Sequence, residues 1–116
     1  MAAEAPPAGT LVCRLADIAD GGGRMFRFGA PEAEFRLLVL RSGDICYGYV
    51  NRCPHFGVPL AARDEQLILD AHRSFRCNTH YARFGWQTGH CDFGDCAGET
   101  LPRVALKVES GAVMID

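Results

Sequence analysis

The sequence predicts an all-β fold, an antiparallel β-sandwich or small barrel, and three observations carry that reading. Apolar and polar residues alternate over short runs, most visibly at Val104, Leu106 and Val108, as a half-buried strand requires. Glycine-bearing turns recur at close spacing, at Gly21-Gly22-Gly23, Ser42-Gly43-Asp44, Gln87-Thr88-Gly89 and Ser110-Gly111, and such punctuation marks hairpins. No segment of ten or more residues keeps helical periodicity.

Taken in order, residues 1–9 are rich in Ala and Pro and are expected to form a disordered tail. They have neither a basic n-region nor an apolar h-region, so they do not read as a secretory signal. Thr10 to Ala16 reads as a first strand and Asp17 to Asp20 as a single turn. Three consecutive glycines then make a loop; they lack the Lys-Ser/Thr and helix pattern of a phosphate-binding loop. Arg24 to Phe28 alternates as a strand. Phe35 to Arg41 is an apolar run, turned by Ser42-Gly43-Asp44 into Ile45 to Val50. Residues 66–69 form a short strand, Ala71 to Ser74 turn the chain, and Phe75-Arg76 lead into Cys77. Arg83 to Trp86 is a strand turned by Gln87-Thr88-Gly89. Val104 to Glu109 is a half-buried strand, and Ser110-Gly111 turns it into the last one, Ala112 to Ile115.

A chain of 116 residues is expected to be one domain, here residues 10–116. With 48% hydrophobic and 22% charged residues it has the composition of an ordinary globule. A net charge of −2 offers no basic field for nucleic acid. No apolar run approaches the roughly 18 residues of a membrane span, so no membrane partner is expected. Six cysteines in a short chain could suggest a disulfide framework; without a secretory signal, a reducing compartment that keeps thiols free for metal is expected instead.

The stretch that carries chemistry runs from Asn51 to His80. Cys53-Pro54-His55 and Cys77-Asn78-Thr79-His80 each offer one thiolate and one imidazole, and 21 residues separate His55 from Cys77. Both side chains bind soft or borderline transition metals. Zinc accepts these ligand types but prefers two to four residues between them, so Cys-x-His fits it poorly. A Cys-His nucleophile pair is another reading, but nothing in the sequence organises an oxyanion hole. Cys-x-His followed by Cys-x-x-His matches a cluster in which two cysteines hold one iron and two histidines the other.

At these residues the chain resembles the Rieske ferredoxin family. The resemblance extends to Gly57-Val58-Pro59-Leu60 as a first cluster loop, Tyr81-Ala82-Arg83-Phe84 as a second, aromatic-bearing loop, and Gln87-Thr88-Gly89 as the turn after it. It covers residues 45 to 116 clearly and the first forty weakly. Tyr81 stands where the family usually has Gly, and the interval between the ligand pairs is a few residues longer than in most ferredoxin members. The resemblance implies one [2Fe-2S] cluster held by Cys53, His55, Cys77 and His80, in a cluster-binding region of about residues 51–86 whose two loops sit on a β base. The His-ligated iron would take the electron, and imidazole ligands raise the potential above that of an all-cysteine ferredoxin.

High-potential members carry a loop-bridging disulfide and a Ser and a Tyr that donate to cluster sulfur. Val58 and Thr79 align with the disulfide positions, and Ala82 and Phe84 with the Ser and Tyr. A low-potential member, near about −150 mV, is therefore expected. Pro54, Gly57 and Pro59 would stiffen the first loop.

The remaining residues have plainer readings. Cys13 and Cys46 lie in strands as small core residues, Cys91 and Cys96 bracket a structural turn, with a disulfide or metal pair as the alternative, His72 and His90 are surface histidines, and Trp86 and Phe84 are core aromatics. Asp64 and Glu65 read as a solvated loop. The family resemblance implies a soluble, cytoplasmic one-electron carrier, monomeric and not itself an enzyme, taking electrons from a flavin reductase and giving them to a terminal oxygenase. The alternative is a small [2Fe-2S] subunit of a reductase complex with a large flavin or haem partner, similar to the small subunit of nitrite reductase. The length leaves no room for a mononuclear iron domain, and no 2-His-1-carboxylate set stands out.

Overall fold

The apolar run that begins at Phe35 becomes the strand on which the molecule is built. A computed structural model describes residues 6–29, 34–52, 67–77, 82–94 and 97–116. In chain order the strands are β1 (Leu11–Arg14), β2 (Gly23–Phe28), β3 (Phe35–Ser42), β4 (Ile45–Val50), β5 (Ile68–Asp70), β6 (Ser74–Arg76), β7 (Arg83–Gly85), β8 (Cys91–Phe93), β9 (Arg103–Val104), β10 (Leu106–Glu109) and β11 (Ala112–Ile115). Among the described residues all pairings are antiparallel, in three sheets ordered β1-β11-β10, β2-β3-β4-β9 and β5-β6-β7-β8. The fold is all-β, and among the described residues no sheet closes into a barrel.

Central position explains why β3 reads as a continuous run. It is paired with β2 on one side and β4 on the other, and its side chains alternate between two cores. Phe35, Leu37 and Val39 join Cys13, Ile18, Cys46, Val104, Val113 and Ile115. Leu38 and Leu40 join Tyr49, Phe75, Cys77, Ala82, Phe84, Trp86, Cys91 and Leu101. Leu37 to Leu40 are fully buried. A strand covered on both faces needs apolar residues at every position, and each such side chain stabilises the fold by about 1.5–3 kcal/mol relative to exposure. The middle sheet thus separates a mostly aliphatic core under the β1-β11-β10 sheet from an aromatic core under the β5-β6-β7-β8 sheet. Gly48 permits the close approach on the first side: a Cβ there would lie 2.5 Å from the Val104 carbonyl oxygen and 2.9 Å from Leu106 Cδ1.

Both predicted hairpins of this base are present. Ser42 faces Ile45 across Gly43-Asp44. Glu109 faces Ala112 across Ser110-Gly111, where both turn residues have positive φ (50° and 78°), as a two-residue hairpin turn favours. Three readings need correction. The predicted 104–109 strand is two strands, because the chain changes sheets at Ala105: β9 pairs with β4 while β10 pairs with β11, and the Asp116 N–H donates to the Ala105 carbonyl (2.9 Å). The alternation runs through the crossover unbroken, so the pattern alone could not reveal it.

The single turn comes earlier than expected, as a 3-10 turn at Leu15–Asp17. Asp17 Oδ2 accepts from the Arg14 N–H (2.9 Å), and the Arg41 guanidinium donates to the carbonyls of Leu15 and Ile18 (3.2 and 2.8 Å). Third, Cys91–Phe93, expected within a turn, forms β8 by pairing with β7. Residues 1–5 lie outside the described set; Gly9 donates to the Ile115 carbonyl (2.7 Å). Among the described residues no helix is long and apolar enough to cross a membrane.

Candidate metal centre

The two predicted ligand pairs leave the described structure at two different sheets. β4, in the middle sheet, runs into Asn51 and Arg52, and the chain next appears at Leu67, before β5. β6 runs into Cys77. The Cys77 N–H donates to the Ala82 carbonyl (2.9 Å), so the chain comes back to its starting point after residues 78–81 and enters β7. Cys53, His55 and His80 lie outside the described residues, as do the proposed first-loop residues 57–60, the aligned Val58 and Thr79, Tyr81, Asp64, Glu65 and Cys96.

Cys77 is the predicted ligand that can be described. It is a free thiol with no exposed surface, at the closed neck of the second loop and packed in the aromatic core. This suits a cysteine ligand: a metal held there would be fixed by a backbone hydrogen bond and a rigid core rather than by a surface side chain. The other described cysteines fit less well. Burial pushes the Cys13 thiol up to about 11, with the Cys46 thiol and Asp17 adding to the effect, and burial raises Cys46 as well. Both belong to the aliphatic core, as expected of small apolar residues. Cys91 lies in β8 and donates its S–H to the Phe93 carbonyl (3.2 Å). Among the described residues no three His, Cys, Asp or Glu side chains converge on a common point.

The first loop is rooted by Asn51, a buried polar residue 3% exposed. Its N–H donates to the Arg36 carbonyl (2.9 Å) and its Nδ2 to Met25 Sδ (3.0 Å). The second loop is rooted by short strands with aromatic packing. Phe75 and Phe84 stack at 5.4 Å, the Trp86 Nε1–H donates to the Ser74 carbonyl (2.9 Å), and the Trp86 N–H donates to the Arg73 carbonyl (3.0 Å). Ala82 and Phe84 are buried at 2% and 0% exposure.

Beside this root, on the outside, Phe93 is 54% exposed between the guanidiniums of Arg76 and Arg83 (5.4 and 5.8 Å), and Arg83 pairs with Asp92 (2.7 Å). That pair is the leading cause holding the Asp92 carboxyl below the usual carboxylate range.

His72 and His90 are exposed, as predicted. His72, with φ 65°, lies at the far end of β6, where Nδ1 meets Ser42 Oγ (2.8 Å) and the ring packs on Trp86 (5.6 Å). His90 Nδ1 meets Thr100 Oγ1 (3.3 Å).

Sequence reasoning missed the residues that join the two roots. Tyr49, in β4, is fully buried, and its hydroxyl donates to the Trp86 carbonyl (2.5 Å). Its ring packs on Phe75 (5.9 Å). Arg103 lies opposite Tyr49 in the β4–β9 register, with its guanidinium 5.7 Å from the Tyr49 ring centre and 5.9 Å from that of Tyr47. Arg103 Nη2 donates to the Tyr49 hydroxyl (3.3 Å) and to the Gln87 carbonyl. In the sequence Tyr49 is one of two tyrosines on one face of a strand, and nothing local distinguishes it.

An all-β antiparallel domain with a buried free cysteine at the neck of a short loop is the class that fold and site define. The family model for the Rieske [2Fe-2S] domain matches residues 9–106, and the chain belongs to that family. It is similar to a chain in the complex of reduced oxygenase and oxidized ferredoxin of carbazole 1,9a-dioxygenase, with 27% identity over 90% of this chain and 89% of that one and a TM-score of 0.72. The ferredoxin of carbazole 1,9a-dioxygenase from Nocardioides aromaticivorans IC177 shares its fold, with 21% identity over 92% and 97% of the two chains and a TM-score of 0.68.

So does a chain in a carbazole-bound oxygenase and ferredoxin complex of the same dioxygenase system, with 20% identity and a TM-score of 0.74. There the match covers 91% of this chain, which spans only 27% of that one. No curated protein matches the sequence.

Proposed function

We propose that the chain is a low-potential, one-electron carrier whose cluster is held by Cys53 and Cys77 on one iron and by His55 and His80 on the other. The observation that carries this reading is the buried, free Cys77 at the closed neck of a loop, in a chain matched to the Rieske domain over residues 9–106. When bound, the cluster supplies a single-electron couple whose potential follows ligand type and the hydrogen bonds to sulfur.

The chain's own residues set that environment. Cys77 is shielded from water by Phe75, Ala82 and Phe84, and neither Ala82 nor Phe84 offers a hydroxyl donor. This supports a potential near the low end of the Rieske range, about −150 mV. The domain is read as residues 10–116, with a cluster-binding subdomain of two loops in about 51–86 set on a sandwich-like β base. The match over nearly the whole length of a ferredoxin chain, against a quarter of a much longer one, favours a carrier that serves a terminal oxygenase; a flavin reductase as donor and a cytoplasmic setting complete the proposal.

Single substitutions Cys53→Ser, His55→Ala, Cys77→Ser and His80→Ala test the ligand set. Each is expected to abolish the visible absorption and reduced-state EPR signal of the purified protein. Retention of an unchanged signal in any one of them would remove that residue from the set.

A further inference from the structure

The described residues contain a connection between the two ligand loops that neither the family match nor the ligand set accounts for. The first pair follows β4 and the second follows β6, in different sheets. A four-ligand centre needs these two strand ends at a fixed separation, since ligand geometry tolerates little play. Side chains crossing from one sheet to the other can set it.

Tyr49 is placed to do so. It lies four residues before Cys53 on the strand that leads there, and its ring packs on Phe75, two residues before Cys77. A phenylalanine would fill the same space. What the hydroxyl adds is a hydrogen bond to the Trp86 carbonyl, in the turn between β7 and β8 of the sheet that carries Cys77. Its cross-strand partner Arg103 supplies a second donor to the same turn, at the Gln87 carbonyl, and also bonds the Tyr49 hydroxyl.

The turn is shaped to receive the ring: Gly89 has φ +69°, and a Cβ on it would lie 2.6 Å from Tyr49 Cε1. The same residue donates its N–H to Gly85 and accepts from Leu101 (both 2.9 Å). Burial pushes the phenol up, so the hydroxyl keeps its proton and remains a donor.

We infer that Tyr49, braced by Arg103, is a positioning residue for the metal centre: it clasps the sheet carrying Cys77 to the strand leading into Cys53 and so fixes the spacing of the two ligand loops. This rests on the four-ligand reading above. The test compares the full-length wild type with Tyr49→Phe, Arg103→Met and Val113→Ala, the last lowering stability from the opposite core. Two readouts are taken: EPR g-values with the midpoint potential of the cluster-loaded protein, and amide exchange of Cys77, Trp86 and Gly89, which requires no cluster.

Tyr49→Phe is expected to shift the g-values and potential and to speed exchange at these amides several-fold. Arg103→Met should act in the same direction with a smaller effect, and Val113→Ala should leave the g-values and potential in place. Arg103 is exposed, so that variant decides the matter if Tyr49→Phe does not fold. Wild-type values in both variants, or an equal shift in Val113→Ala, would overturn the clasp. A wild type without a mixed Cys/His signal would instead overturn the ligand reading, and the exchange data alone would then judge the clasp.

Discussion

The base of the molecule and the sheet that carries Cys77 solve the same problem in opposite ways. The base uses longer strands, β3 with eight residues and β2 and β4 with six, over a core of mostly aliphatic side chains. The β5-β6-β7-β8 sheet uses strands of three residues each. Strands that short hold little of their own register, and this sheet is fixed instead by aromatic packing and by hydrogen bonds from Trp86 and Tyr49 to backbone carbonyls. A domain that must hold loops for a metal can keep its stability in one region and its precision in the other.

The sharpest way to separate the regions is at the ligand. Cys77→Ser is expected to remove all visible absorption while leaving the far-UV circular dichroism of the base largely intact. Loss of the whole β signal would mean that the regions are one cooperative unit.

Next in size is a pair of adjacent core residues. Leu37 and Leu38 are both fully buried but face opposite cores, and either changed to Ala should cost about 2–5 kcal/mol in denaturant unfolding. Only Leu38→Ala should also speed amide exchange in Phe75 to Trp86. Equal protection in the two variants would erase the distinction.

Cys13 gives a pH test confined to the base. Its folded pKa, about 11, is raised above the ordinary 9.0. Its stabilisation is therefore complete below pH 9 and is lost as pH rises toward 11, because the unfolded chain then releases a proton the folded one retains. The two-unit difference corresponds to ~2–3 kcal/mol at most. Cys13→Val should flatten the alkaline fall in melting temperature, and a fall of unchanged steepness would contradict the assignment.

The smallest effect concerns the acid side of the other region. Asp92 is held low chiefly by its hydrogen bond from Arg83. Its contribution is present above the ordinary carboxylate pKa and fades as pH drops through the folded value. Asp92→Asn should slightly reduce acid sensitivity without altering the alkaline limb.

The comparison also explains what could be read in advance. The base was legible because its strands are long enough for pattern and turn chemistry to agree: Phe35 to Val50 and Val104 to Ile115 were found with their hairpins. The Cys77 sheet was legible mainly through its glycine turns and the Cys-x-x-His motif that follows β6. β8 was missed because Cys91-Asp92-Phe93 is too short to alternate, and it becomes a strand by pairing with β7, Phe84 opposite Cys91. The split at Ala105 was invisible because both halves present the same alternation to neighbouring sheets. Tyr49 was missed because its role depends on Trp86 and Arg103, 37 and 54 residues away, and no local signal encodes such a contact. The family was legible in residue type and spacing, through Cys53-Pro54-His55 and Cys77-Asn78-Thr79-His80, and the Rieske [2Fe-2S] domain model matches residues 9–106.

The central claim is that this domain holds one cluster by two cysteines and two histidines. Pulsed EPR of the dithionite-reduced protein, with 15N-labelled histidine, tests it most directly. The account predicts hyperfine coupling from two inequivalent histidine nitrogens on a protein containing two irons and two labile sulfides per chain. A cluster without histidine coupling, or a colourless protein lacking iron after anaerobic reconstitution, would contradict it.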